Sequence, residues 1–218
     1  IPRFRRSSFD KRDEVGVALG MAWTEFGGEL LTFEAMKTYG KGNLTLTGQL
    51  GEIMQESAKA AFSYVRGKTF ELNIAADLHK NYDIHIHVPE GGTPKEGPSA
   101  GITLATSILS LLTGIPVSKK VAMSGEITLK GKVLPVGGIK GKLLAAHREG
   151  IKVAILPIDN KPDLRDLPKN IKDDMKINFV ENMDDVLKIA LTKDISEVLK
   201  KEKESLSEEE PQKSPVTH

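Results

Sequence analysis

The sequence predicts a single α+β domain over about residues 14–195, in which strands and helices follow one another irregularly and no internal repeat is visible. The clearest strand is residues 82–88 (YDIHIHV), where polar and apolar side chains alternate strictly. The clearest helix is residues 102–113 (ITLATSILSLLT), an apolar segment that ends before Gly114 and Pro116. This mixture of short elements is typical of the α+β class.

Two further strands and one further helix are predicted in the N-terminal half of the domain. Residues 51–66 place apolar side chains at helical spacing, which gives this helix one buried face. A Gly-Lys-Gly turn at residues 40–42 separates the two strands, and an exposed loop at residues 89–98 precedes the apolar helix. The two strands are expected at residues 30–35 and 43–47.

The C-terminal half begins with a predicted hairpin whose turn is residues 130–132. A break at Gly137 and Gly138 separates this hairpin from the next helix. The hairpin strands are expected at residues 121–129 and 133–136, the helices at 139–149 and 183–191, and two more strands at 151–156 and 177–180.

Polar segments flank the predicted domain. Residues 1–13 are basic and show no hydrophobic period, which indicates a linker or arm. Residues 196–218 are too polar to bury a core, so we expect a disordered tail.

The composition excludes several kinds of site. The chain has no cysteine, so it cannot form a disulfide, a thiolate zinc site or a cysteine nucleophile. Its 31 basic and 30 acidic residues give no argument for binding to nucleic acid, and no apolar run reaches the roughly 18 residues of a membrane span.

Ser99 lies in a Gly-Pro-Ser-Ala-Gly bend that opens the apolar helix. Unsatisfied N–H groups and the positive end of the helix dipole favour a developing anion at such a position. A serine there also commonly serves only to cap the helix. The residues alone therefore leave open whether Ser99 is a cap or a nucleophile.

A serine nucleophile needs a base, and both histidine and lysine are candidates. His85 and His87 share one face of a strand, where they could serve a metal or a Ser-His pair, or only pack and form hydrogen bonds; no third metal ligand is evident. Lys140 and Lys142 lie at the start of a helix, whose dipole disfavours a further positive charge, and Leu143 is an apolar neighbour. Both lysines could equally be solvated.

Long motifs resolve these alternatives through a family resemblance. Residues 94–101 (PKEGPSAG) and 121–151 (VAMSGEITLKGKVLPVGGIKGKLLAAHREGI) resemble the proteolytic domain of the Lon proteases. Residues 15–35 (VGVALGMAWTEFGGELLTFEA), 46–66 (LTGQLGEIMQESAKAAFSYVR) and 85–101 (HIHVPEGGTPKEGPSAG) agree with it. The resemblance covers roughly residues 14–192, which is nearly the whole predicted domain.

The resemblance implies a Ser-Lys dyad without a catalytic histidine. Ser99 matches the nucleophile of the family and Lys142, not Lys140, matches its general base. Ser124, where many members have threonine, is expected to orient the lysine amine. His85 and His87 then have supporting roles only. The substrate-cleft candidates are Trp23, Gly97 and Pro98.

Two residues depart from the usual family pattern. Glu96 replaces the usual Asp three residues before the serine, which moves the carboxylate by about 1.5 Å. This carboxylate either raises the pKa of the lysine, opposing its use as a base, or holds a loop that opens for substrate. Gly141 replaces the more usual Glu between the two lysines, and a glycine so near the helix start is expected to loosen the helix.

The implied activity is that of a serine endopeptidase that hydrolyses unfolded or misfolded proteins through an acyl-enzyme. Family members couple this reaction to an ATPase module, which binds ATP and Mg²⁺. No phosphate-binding motif is present here, since residues 137–142 (GGIKGK) are one residue too short and precede Leu143. We therefore expect no cofactor in this chain.

The resemblance also implies a homohexamer. We expect a location in the cytoplasm or, alternatively, in an organellar matrix. We expect neither a membrane nor nucleic acid as a partner, because no apolar run is long enough to span a membrane and the net charge is close to zero. Two other functions remain open at this point. The chain could be a non-catalytic Lon-like scaffold, although a scaffold would be free to lose Ser99 or Lys142. It could also be a serine hydrolase that depends on His85 or His87.

Overall fold

The structure is a computed structural model that describes residues 12–24, 27–72, 74, 81–89 and 94–200. The predicted arm and tail lie mostly outside this part of the chain. Nine strands occur in the described residues: β1 (Val17–Thr24), β2 (Gly27–Tyr39), β3 (Leu44–Thr47), β4 (Tyr82–His87), β5 (Val121–Met123), β6 (Glu126–Ile127), β7 (Val133–Leu134), β8 (Val153–Pro157) and β9 (Lys176–Val180).

Seven of these strands form one mixed sheet in the order β3-β4-β2-β1-β5-β8-β9. One half is built around β2, which runs antiparallel to both β1 and β4. In the other half β1, β5, β8 and β9 are mutually parallel. The predicted hairpin is confirmed as the separate pair β6–β7.

Helices cover both faces of the parallel half of the sheet. The α-helices that end within the described residues are α1 (Glu52–Glu71), α2 (Gly101–Thr113), α3 (Ile139–Arg148), α4 (Lys169–Asp174) and α5 (Met183–Ala190). Successive side chains of a strand point to opposite faces, so Ala18 of β1 packs with the core of α1, α2 and α5, whereas Leu19 and Met21 pack with α3 and α4. The predicted α+β class is therefore confirmed.

The structure differs from the predicted elements in five places. β1 was not predicted, nor were α4 and a 3-10 turn at Ile158–Leu164. The strand expected at residues 121–129 is wrong as one element, because its chain leaves the sheet after Met123 and joins the separate hairpin. The first residues of the predicted tail continue a helix at residues 195–200, whose Ile195 and Val198 pack on the core.

Candidate active site

Ser99 lies in a 3-10 turn, Pro98–Ala100, that leads directly into α2. Pro98 is the first residue of this turn, where its fixed φ is favourable and its missing N–H is not needed. Gly97 before it has φ 112° and ψ 157°, a conformation that only glycine adopts readily. The local sequence therefore forms a sharp bend that presents the half-buried Ser99 side chain at the end of a helix.

The Ser99 turn is fastened to the chain segment that leaves β5. The N–H of Gly125 donates to the carbonyl oxygen of Ser99 at 2.9 Å, and the N–H of Ile102 donates to the carbonyl oxygen of Gly125 at 3.1 Å. The hydroxyl of Ser124 also donates to the Ser99 carbonyl oxygen at 3.4 Å. Ser99 therefore lies at the carboxyl end of a parallel strand, the usual position of ligand sites in such sheets.

Lys142 reaches the same point from the other face of the sheet. It lies in the first turn of α3 and is 2% exposed, whereas Lys140 is exposed to solvent. Burial disfavours the charged ammonium and lowers the pKa of Lys142 to about 8. No acidic side chain among the described residues forms an ion pair with this amine.

Ser124 connects the two candidate catalytic residues. Its buried hydroxyl accepts a hydrogen bond from the Lys142 amine at 3.0 Å and donates to the carbonyl oxygen of Ser99. This is the lysine contact that the family resemblance implied. Within the described part of the chain the Ser99 hydroxyl itself has no hydrogen-bond partner, so it is available to an incoming substrate.

The carboxylate of Glu96 is directed towards α1. Its Oε1 atom accepts hydrogen bonds from the N–H groups of Met54 at 3.1 Å and of Gly97 at 3.0 Å. Burial is the cause of the Lys142 pKa shift, and the shift is downward. Of the two roles expected for Glu96, the geometry therefore favours the one that holds the loop.

The two strand histidines form a separate cluster. The Oγ1 atom of Thr47 lies 2.8 Å from Nε2 of His85 and 2.8 Å from Nδ1 of His87. Both rings therefore bond a neighbouring strand, and no described contact links either of them to Ser99. In the described ranges no group of three or more histidine, aspartate or glutamate side chains is arranged to bind a metal.

Trp23 lines an open cleft of about 870 Å³ beside the first turn of α3. Its side chain is 55% exposed and covers Gly141, where a Cβ atom would lie 2.0 Å from Cζ3 of the indole. A glutamate at this position would displace the exposed ring from the place that it occupies. Gly97 and Pro98, the other cleft candidates, are not among the described lining residues.

Ser57 and Gly51 support the site and were not predicted. Ser57 of α1 donates to the carbonyl oxygen of Pro98 at 3.1 Å, and Gly28 and Gly51 make room for Gly141 and Glu96, respectively. The one available signal for Ser57 is a small polar residue on the apolar face of a predicted helix. Gly51 gave no signal, because its role depends on Glu96, a distant residue of the chain.

No helix in the described residues is long and apolar enough to cross a bilayer.

Comparison with known proteins identifies the family. The sequence profile of the Lon protease (S16) C-terminal proteolytic domain matches residues 1–193. The chain is 59% identical over 193 residues to a Lon protease of Solibacter usitatus, covering 88% of this chain and 24% of that protein. It is 51% identical over 210 residues to Lon protease 1 of Syntrophobacter fumaroxidans, covering 96% and 25%, respectively.

A Lon protease of Halothermothrix orenii is 53% identical over 197 residues, which are 90% of this chain and 25% of that protein. The chain thus spans about a quarter of the length of these curated relatives. By its matching profile, and by its identity to these relatives, the chain belongs to the Lon protease (S16) C-terminal proteolytic domain family.

Proposed function

We propose that this chain is a serine endopeptidase domain in which Ser99 is the nucleophile and Lys142 is the general base. The observation that supports this assignment is a shared hydrogen-bond partner. The Ser124 hydroxyl accepts from the buried Lys142 amine and donates to the carbonyl oxygen of Ser99. Because burial lowers the pKa of Lys142 to about 8, a useful fraction of the amine is neutral near neutral pH.

The reaction is acyl transfer in two steps. The neutral Lys142 amine takes the proton from the Ser99 hydroxyl while Oγ attacks the carbonyl carbon of the scissile peptide. The C–N bond of the tetrahedral intermediate then breaks, and the Lys142 ammonium gives its proton to the leaving amine. In the second step Lys142 deprotonates a water molecule, which attacks the ester on Ser99. The ester bond then breaks, and the Lys142 ammonium returns the proton to the Ser99 oxygen.

The oxyanion of each intermediate needs preorganised donors. We assign this role to backbone N–H groups at the Pro98–Ala100 turn, where the start of α2 also contributes the positive end of its dipole. The carbonyl oxygens of the turn accept hydrogen bonds from the Gly125 N–H and the Ser57 hydroxyl, which keep the turn in place, so little reorganisation is required during the reaction.

The edge of β1 is the proposed binding site for an extended substrate. β1 pairs with β5 in register at Gly20 and Met123 only, and no described strand pairs with this edge at residues 21–23. An unfolded chain can add there as a strand, with backbone hydrogen bonds that tolerate many sequences. The cleft at Trp23 is then available to a substrate side chain.

The assembly of the whole protein is also a proposal. Membership of the Lon family supports coupling to an ATPase module that unfolds protein substrates, a homohexameric ring, and a location in the cytoplasm or an organellar matrix. No observation favours a scaffold. A histidine-dependent hydrolase is not favoured either, since His85 and His87 bond Thr47.

Substitution of the two proposed catalytic residues tests the function. We expect S99A and K142M to lose at least about 10³-fold in kcat for cleavage of an unfolded protein and of a fluorogenic peptide, because nucleophile and base act as a unit. The matched control K140M changes an exposed lysine of the same helix turn and should keep its activity. Activity of K142M together with inactivity of H87A would overturn the assignment.

A further inference from the structure

The N-terminus of α1 lacks a capping side chain of its own. Its N-cap residue is Gly51, which forms no side-chain hydrogen bond with the first turn. The first N–H groups of a helix have no partner within the helix and are usually satisfied by the N-cap residue. Here the N–H of Met54 donates instead to the carboxylate of Glu96, a residue far along the chain.

The N-cap position requires glycine because there is no room for a side chain, and not because of its backbone conformation. Its φ of −67° and ψ of 169° are extended values that any residue adopts. A Cβ atom at this position, however, would lie 1.5 Å from Oε2 of Glu96. The missing side chain therefore leaves the space that the Glu96 carboxylate occupies.

The same carboxylate oxygen also holds the turn that carries Ser99. Oε1 of Glu96 accepts from the N–H of Gly97, two residues before Ser99. On the other side of Glu96, the buried Lys95 donates from Nζ to the carbonyl oxygen of Gly48 at 3.0 Å. Backbone hydrogen bonds of Lys95 with Gln49 and Gly51 complete the attachment of this segment to the start of α1.

We propose that Glu96 is a positioning residue for Ser99. The Glu96 carboxylate caps α1 through the space left by Gly51 and thereby fixes the Pro98–Ala100 turn. The proposal rests on the proposed function, in which Ser99 is the nucleophile. It gives a reason for glutamate at a position where the family usually has aspartate. An aspartate is shorter by about 1.5 Å and would not reach the N–H of Met54 from the same backbone.

A single thiol at position 99 measures the positioning without requiring peptidase activity. The chain has no cysteine, so the S99C variant carries one thiol, and S63C supplies an exposed control thiol on α1. The quantity to measure is the midpoint of the pH dependence of alkylation by iodoacetamide. A thiol held beside the Lys142 ammonium should titrate below the value of about 8.5 of a free cysteine, and K142M should raise the midpoint towards it.

Two changes of different kind should then have the same effect in the S99C background. E96A removes the carboxylate, whereas G51A keeps it and displaces it with a Cβ atom. If Glu96 positions residue 99, both changes raise the alkylation midpoint towards about 8.5. If Glu96 acted only through its charge, E96A would lower the midpoint, because loss of a nearby negative charge favours the thiolate, and G51A would have little effect.

A double variant separates positioning from helix stability. E96A should lower the melting temperature by about 2–4 °C through loss of the cap. G51D/E96A places an aspartate at the extended N-cap of α1, so it should restore the melting temperature, but the alkylation midpoint should stay raised. Recovery of both quantities would show a structural role alone and would overturn the proposal.

The two hypotheses fail in distinguishable ways. An unchanged midpoint in S99C/E96A, combined with a raised midpoint in S99C/K142M, would overturn the positioning role and leave the dyad intact. An unchanged midpoint in S99C/K142M would overturn the dyad. The role of Glu96 is then decided by amide hydrogen exchange at Gly125 and Ile102, whose bonds fasten the Ser99 turn and whose exchange E96A must accelerate.

Discussion

At the scale of single residues, the chemistry depends on which lysine is buried. Ile139, Lys142 and Ala146 lie three and four residues apart and share the buried face of α3, whereas Lys140 points to solvent. The amine of Lys142 is therefore buried away from water, which favours its neutral form. A neutral amine beside a serine hydroxyl is what a Ser-Lys mechanism requires.

The pH dependence of cleavage tests this environment. We expect kcat/KM for a peptide to rise with pH to a plateau with an apparent pKa of about 8, because only the neutral Lys142 amine accepts the serine proton. Initial rates between pH 6 and 10 measure it, and K140M should leave the midpoint unchanged. A midpoint near 6.5 would instead indicate a histidine base.

At the scale of elements, the position of α3 depends on a close backbone contact with β2. A Cβ atom on Gly28 of β2 would lie 1.9 Å from the carbonyl oxygen of Gly141, the residue before Lys142. Since a backbone atom cannot move aside as a side chain end can, any larger residue at position 28 must displace the helix. The glycine thus contributes to the placement of the proposed base.

We expect G28A to destabilise the fold by about 1–3 kcal/mol through overpacking and to lower peptidase activity with it. The matched control is G67A, since Gly67 lies in α1 with open space around its Cα atom. There the added methyl group should stabilise the fold by about 0.5–1 kcal/mol, because alanine is the better helix former. Urea denaturation compares the two, and a wild-type midpoint for G28A would contradict the proposed contact.

At the scale of the whole molecule, the candidate site joins the two layers that cover the sheet. Ser99 comes from the layer of α1, α2 and α5, and Lys142 comes from the layer of α3 and α4. They meet beyond the end of β5, where the Ser124 hydroxyl bonds both. Here the Lys142 amine is buried away from water. Its burial reduces the stability of the fold at every pH at which the amine would be charged in water.

Stability should therefore rise between about pH 8 and pH 10.5. The folded-state pKa of Lys142 is about 8 and its ordinary value is 10.5, so in this window the unfolded chain binds a proton that the folded chain does not. The penalty is largest below pH 8, at about 3 kcal/mol, and disappears above pH 10.5. The difference in unfolding free energy between wild type and K142M, measured by denaturation at several pH values, isolates this contribution. A difference independent of pH would show that the pKa of Lys142 is not depressed.

Local signals in the sequence predicted most of the elements. The strand ending at His87, the helix after Ser99 and the β6–β7 hairpin follow from alternation, helical spacing and glycine or proline at the boundaries. β1 was missed because it lies inside the sheet, where Ala18, Leu19 and Met21 are all buried and the polar alternation of an edge strand is lost. The break after Met123 was missed because the Ser99 turn, a distant segment, bonds the residues that follow.

By itself, then, the sequence determined most of the elements, the place of Ser99 at the start of a helix and, through its motifs, the family. Composition and spacing left both lysines as candidate bases, and the family resemblance left the carboxylate of Glu96 with two opposite roles. Only the tertiary structure decided that Lys142 is buried and that Glu96 caps α1 across the space at Gly51. Burial and hydrogen bonds between distant segments depend on how the layers pack, whereas helix boundaries and alternation are set by neighbouring residues.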